Sequence, residues 1–131
     1  MVNDELTGAI INASFEVSNE LGAGFLESVY EKALIVALSQ RGLNINAQVP
    51  LKVRFRNVIV GDFFADLIVE DKVLIELKAV SRLLPEHKAQ VINYLNATGI
   101  ETGLLLNFGN PRVEYYRLHK RKDPDHPVNP F

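Results

Sequence analysis

Asp66-Leu-Ile-Val-Glu-Asp-Lys-Val-Leu-Ile-Glu76-Leu77-Lys78 reads as two strands joined by a turn at Glu70-Asp71, with acids and a lysine set into an otherwise apolar hairpin. Side chains alternate along a strand, so Glu76 and Lys78 share one face while Ile75 and Leu77 share the other. The turn folds Asp66 back beside them. Two carboxylates and an ammonium gathered at the end of an apolar hairpin are costly to bury unless they pair, coordinate a cation, or do both. On spacing alone, Glu76 and Lys78 are also what an ordinary solvated strand shows, a same-face pair worth little energetically. The rest of the chain has to decide between the two.

Two other segments bear on it. Gly24-Phe25-Leu26-Glu27-Ser28-Val29-Tyr30 spans a helix start, and Gln90-Val-Ile-Asn-Tyr94 lies in a later helix. With these the chain resembles the PD-(D/E)XK nuclease superfamily, and within it the small group called GxxExxY proteins, from about the first helix to about Arg117. Asp66 resembles the first acid of that superfamily and Glu76-Leu77-Lys78 its E-x-K element. Gln90 to Tyr94 is similar to the Q-x-x-x-Y helix motif of RecB-like nucleases. Ala65 stands where a proline usually precedes the first acid, which removes no chemical group. Separated motifs in the expected order are more specific than any one of them.

The resemblance implies a metal-dependent phosphodiesterase acting on DNA or RNA. Phosphodiester hydrolysis needs a hard cation, and oxygen ligands suit Mg²⁺ or Mn²⁺. Asp66 and Glu76 would be its principal ligands, the backbone carbonyl of Leu77 a third, and Glu27 would reach it directly or through water. Lys78 would orient the attacking water or stabilise charge on the phosphate. Gln90 and Tyr94 would support the site or touch substrate; without the resemblance they read as a surface amide and a core aromatic. Tyr30 is either a packing aromatic or a hydrogen-bond partner of Glu27. His87, one turn before Gln90, reads as a solvent-facing side chain and is left out of the metal set. From a different class, the rival reading is a nucleic-acid-binding or protein-interaction module that keeps the scaffold without turnover. The presence of Glu27, Asp66, Glu76 and Lys78 together favours the enzyme.

The chain has 131 residues, 47% of them hydrophobic and 23% charged, which fits one compact domain with a single core. No apolar run is long enough for a bilayer, and the polar, acidic start Met1-Val-Asn-Asp-Glu-Leu leads to the expectation of a cytoplasmic protein without membrane contact. The absence of cysteine excludes disulfides, thiolate catalysis and the usual structural zinc sites, so a metal must be held mainly by oxygen. A formal charge of -2 gives no generic attraction for nucleic acid, so binding needs a local basic surface. Lys52, Arg54 and Arg56 form one candidate, and Arg112, Arg117, Lys120, Arg121 and Lys122 another; solvated edges that discourage strand aggregation look the same. So small a chain offers little surface for a duplex unless it forms a homodimer or has a partner.

Apolar spacing at Leu6, Ile10, Ala13, Val17 and Leu21 predicts a first helix, ended by Gly22-Ala23-Gly24. A second is expected from about Phe25 to Gln40, burying some of Leu26, Val29, Ala33, Val36 and Ala37, with Gly42 closing it. Strand segments are expected at 45–55, 58–64, 65–69 and 73–78, with Pro50 marking an edge. Pro85 starts a helix running to about Thr98, and 102–107 forms a buried strand that a right-handed crossover sets parallel to the Glu76 strand. Residues 113–118 form an edge strand. The proline-rich stretch from Asp123 has no periodicity and is expected to be a mobile tail, leaving 1–122 as the domain. The architecture is α/β, a mixed sheet flanked by helices, consistent with the restriction-endonuclease-like core of the resembled superfamily.

Overall fold

The computed structural model describes residues 3–121. Lys122 and the expected mobile tail from Asp123 lie outside the described residues. Helix α1 (Asn3–Leu21) buries Leu6, Ile10, Ala13 and Val17 along one stripe, as the spacing requires. Helix α2 (Glu27–Gln40) begins two residues later than expected and buries a different face: Tyr30, Leu34 and Leu38 point inward, while Leu26, Val29 and Val36 are exposed. The helix is apolar on several sides, so periodicity alone cannot choose its buried stripe. The Tyr30 hydroxyl chooses it, donating to the carbonyl of Gly22 (2.7 Å) and accepting the Phe25 N–H (3.1 Å) in the loop that enters α2.

Strands β1 (Ile45–Phe55) and β2 (Val58–Val69) form a long antiparallel hairpin, and β3 (Val73–Lys78) pairs antiparallel to β2. The break expected near Ala65 does not occur: β2 is one strand, held across it by the pairs Leu51↔Phe63, Pro50↔Phe64 and Val49↔Ala65. Pro50 sits on β1 at the sheet edge, where its missing N–H is tolerated. Glu70 and Asp71 both have positive φ (+54° and +56°), the conformation of a tight hairpin turn whose twist matches its strands. Helix α3 (Pro85–Thr98) crosses over to β4 (Thr102–Asn107), which runs parallel to β3 with Glu76 beside Leu105; β5 (Glu114–His119) closes the other edge antiparallel. The strand order is β1-β2-β3-β4-β5.

Helices α1 and α2 cover one face over Leu67, Val69, Ile75, Leu77, Leu104 and Leu106, and α3 covers the other over Ile68, Leu74 and Leu105. This is why β3 and β4 read as continuous apolar runs. The outer half of the β1–β2 hairpin changes sides. Ile45, Leu67 and Val69 pack on the α1–α2 face, whereas Val49, Leu51, Val53 and Ala65 pack toward α3. The change falls at Gln48 and Asp66, and Gln48 has φ +50° there, unusual for a non-glycine strand residue. The hairpin thereby turns its tip over α3 and leaves Asp66 at the bend.

Close packing of α3 depends on Gly103, where an added Cβ would lie 2.8 Å from a Val91 methyl and 3.3 Å from both Leu95 methyls. Val91 is β-branched and stiff in a helix, so it cannot swing clear. Gly103→Ala should therefore lower stability by about 1–3 kcal/mol, read as a shift in the urea midpoint with unchanged slope. An unchanged midpoint would mean that α3 is less tightly seated than described.

Candidate active site

The β2–β3 ladder runs through Val69↔Val73, Ile68↔Leu74 and Leu67↔Ile75, then stops. One position further on, side chains take over from the backbone. The Asp66 N–H donates to Glu76 Oε1 (3.1 Å), and the Leu77 N–H donates to Asp66 Oδ2 (2.8 Å). Each carboxylate is thus oriented by the strand opposite, and each satisfies a backbone donor freed by the bend. From β1, Gln48 Nε2 donates to Asp66 Oδ1 (3.3 Å) and to Glu31 Oε1 (2.7 Å).

Glu76 is 5% exposed. Burial, then the charge of Asp66, push its carboxyl up to about 8; a hydrogen bond with the Asp66 carboxylate adds to this, while the Asp66 N–H and the charge of Lys78 oppose it. At neutral pH the pair therefore holds a proton on Glu76, facing an oxygen of Asp66. An oxygen-only pair whose mutual repulsion is relieved by a positive charge could hold a hard divalent cation, which would displace that proton on binding. Lys78 is half-buried and forms no ion pair among the described residues, so the Lys78–Glu76 bridge that the spacing allows is not made.

Helix α3 adds Gln90 and Tyr94, joined by a hydrogen bond from Gln90 Nε2 to the Tyr94 hydroxyl (3.0 Å). Burial, then the charge of Glu76 and more weakly that of Asp66, raise the Tyr94 phenol, while the bond from Gln90 opposes the rise; Tyr94 thus stands within electrostatic reach of both acids. His87 lies outside this group: its Nδ1 accepts the Leu84 N–H (3.0 Å), capping the start of α3.

Glu27 is exposed in the first turn of α2 and lines a shallow pocket of about 360 Å³ with Phe25, Leu26, Ser28 and Ala79, the residue after Lys78. Among the described residues no group of three or more Asp, Glu or His side chains is arranged to hold a metal, and Glu27 is not gathered with Asp66 and Glu76 into such a group. The α2 acid linked to Asp66 is Glu31, through Gln48, and it lies one turn beyond Glu27 on the same helix. Tyr30 is fully buried, stacked on Phe108 at 4.8 Å, and bonds the loop rather than Glu27; it supports the fold and cannot touch substrate. Gly24 in that loop has φ +113°, which only glycine adopts without strain.

Sequence reasoning also missed Asn107. Beside Lys78 in the sheet and fully buried, it accepts the Val80 and Gly109 N–H groups with Oδ1 and donates to the Val80 carbonyl and Glu114 with Nδ2. It fixes the chain where it leaves Lys78. The only signal was an amide ending a buried strand. Of the basic residues, Lys52, Arg54 and Arg121 line one open groove of about 1070 Å³ with Gln90 and Tyr94. Arg56 lies over the Phe55 ring, Arg112 over the Phe15 ring, and Lys120 pairs with Glu101.

A family model described as the PD-(D/E)XK nuclease superfamily matches residues 4–118, nearly the whole described chain. Comparison with curated proteins returns no match. Among solved structures, the crystal structure of SSO0001 superposes with a TM-score of 0.58 at 22% identity, over 75% of this chain and 52% of that one; this chain spans about half its length. An alkaline exonuclease (LHK-Exo) from Laribacter hongkongensis superposes at TM-score 0.48 and 13% identity, over 91% of this chain and 83% of that one. The likeness to SSO0001 is one of fold. No helix among the described residues is long and apolar enough to cross a membrane.

The raised carboxyl of Glu76 has a sign that can be measured. Its folded value of about 8 lies above the ordinary 4.5, so the group favours folding fully below pH 4.5 and loses that contribution as pH rises to about 8. Glu76→Gln keeps both hydrogen-bonding partners but does not titrate. In metal-free buffer its stability relative to the parent should climb across this window by up to about 1.4 kcal/mol per pH unit. Parallel stability curves for the two proteins would show that Glu76 is ionised throughout.

Proposed function

Because the chain belongs to the PD-(D/E)XK nuclease superfamily, whose members generally use divalent metals, we propose that it is a metal-dependent nuclease hydrolysing phosphodiester bonds in DNA or RNA, with Mg²⁺ or Mn²⁺ at Asp66 and Glu76. The observation that carries this reading is the reciprocal bonding of the two acids to each other's strands, which holds two oxygens side by side at the sheet bend. Mg²⁺ is commonly bound by one or two carboxylates plus waters and phosphate oxygens, so a two-acid site suffices. The motifs around Glu27 and Gln90 make the GxxExxY group, with its RecB-like helix motif, the proposed place within the superfamily. Cytoplasmic location and pairing of two copies are further parts of the proposal.

When bound, the cation polarises the phosphoryl oxygen and acidifies a water. Asp66 and Glu76 would hold it, with the Leu77 carbonyl as a third oxygen. Glu27, and Glu31 through Gln48, lie on α2, from which either carboxylate would act on the cation through water. Lys78 follows Glu76 on the same face of β3, and its ammonium would orient the attacking water or stabilise charge growing on the phosphate. Tyr94, held by Gln90 on α3, would support the site or touch substrate.

Purified protein with Mn²⁺ or Mg²⁺ should cleave at least one member of a panel of single strands, duplexes, flaps, junctions and RNA at low salt, and EDTA should abolish cleavage. Lys78→Ala should keep most of the metal affinity and lose about 10²–10³-fold in turnover. Asp66→Ala and Glu76→Ala should lose both. Metal-independent binding without cleavage, with Lys78→Ala equal to the parent, would replace the nuclease by a binding module on the same scaffold.

A further inference from the structure

Beside Tyr94, α3 and the turned-over tip of the β1–β2 hairpin enclose the open groove of about 1070 Å³. Its lining carries three cations, Lys52 and Arg54 from β1 and Arg121 from the chain after β5, stretches far apart in sequence, against one acid, Glu86 of α3. Its wall carries Phe63 of β2, whose ring lies 5.6 Å from that of Tyr94 and yet stays 42% exposed. Tyr94 is bonded to Gln90, and both line the groove, so the exposed ring sits against the pair that α3 contributes.

An exposed aromatic ring flanked by cations is the pattern that takes a nucleic acid with unpaired bases: a base stacks on the ring while adjacent phosphates meet the cations. A duplex keeps its bases stacked inside and must unstack one to use such a ring. The groove's volume lies just above the usual range for a single bound small molecule, which suits a few nucleotides rather than a turn of duplex. With a net charge of -2 the molecule as a whole has no broad positive field for a duplex backbone. Lys52 is already bridged to Asp62 (2.7 Å), which leaves Arg54 and Arg121 as the principal phosphate contacts.

We propose that this groove binds a single strand of nucleic acid, with one unpaired base stacked on Phe63 and its flanking phosphates on Arg54 and Arg121. Its use as the path that feeds a strand to Asp66 and Glu76 rests on the nuclease reading; the binding itself does not.

The test is fluorescence anisotropy on the full chain in EDTA at low salt, with a labelled mixed-sequence DNA oligonucleotide offered as a single strand and as a blunt duplex. The single strand should bind at least about tenfold more tightly. Phe63→Ala should weaken single-strand binding about 5- to 100-fold, the range of one base–aromatic stack, while Phe63→Tyr restores it. Arg54→Ala should make the slope of log affinity against log salt shallower by about 0.7. Circular dichroism checks that each variant is folded. Equal or tighter duplex binding, no oligonucleotide binding at all, or equal losses in Phe63→Ala and Phe63→Tyr would overturn the proposal. Because no cation is present, the two readings fail separately: intact single-strand binding without cleavage by the loaded protein sinks the nuclease alone, and cleavage without strand preference in binding sinks the groove alone.

Discussion

The structure depends on one local exchange, in which Asp66 and Glu76 leave the β2–β3 ladder and bond each other's backbone. A sheet that bends must abandon some backbone hydrogen bonds, and a buried donor left unpaired costs roughly 1–3 kcal/mol. Here the carboxylates accept those donors, so the bend is tolerated. The same bend sends the β1–β2 tip toward α3 and opens the groove. Fold and site are therefore set by the same two side chains.

The exchange puts two acids in close contact with little solvent, and the electrostatic consequence falls on Glu76, which keeps its proton to about pH 8. Placing the pair between apolar strands raises the cost of a second negative charge and so strengthens the pull on any cation that relieves it. Around this centre the chain is anchored at several points. Asn107 clamps the segment after Lys78, and Gly109 permits it, since a Cβ there would collide with the Val80 carbonyl oxygen. Tyr30 secures the loop that begins α2. None of these supports carries charge, and all hold the charged residues in place.

Much of the fold was legible because its signals are local. The apolar run 102–107, the proline at 85 and the Glu70-Asp71 turn each have one reading, and together they give the parallel β3–β4 pair that sets Lys78 beside Asn107. The acids stood out because charge is rare in such strands. What stayed hidden depends on contacts distant in sequence. The buried face of α2 was chosen by a hydroxyl reaching back eight residues to Gly22. Glu31 was hidden because its link to Asp66 runs through Gln48, a strand residue with positive φ that no pattern announces. The two basic stretches could be named from the sequence, but only the turned hairpin shows that Lys52, Arg54 and Arg121 face one groove while Arg56 and Arg112 stack elsewhere.

The central claim, part of the proposed function, is that Glu76 holds a proton beside Asp66 and would give it up when one divalent cation binds the two acids. Calorimetric titration of the metal-free protein with Mn²⁺ at pH 7, repeated in two buffers of different ionisation enthalpy, counts the protons released per ion bound. The account predicts one saturable site with close to one proton released, lost or severely weakened in Asp66→Ala, and with no proton released by Glu76→Gln in whatever binding it retains. Saturable binding that releases no proton, or that is unchanged by either substitution, would contradict it.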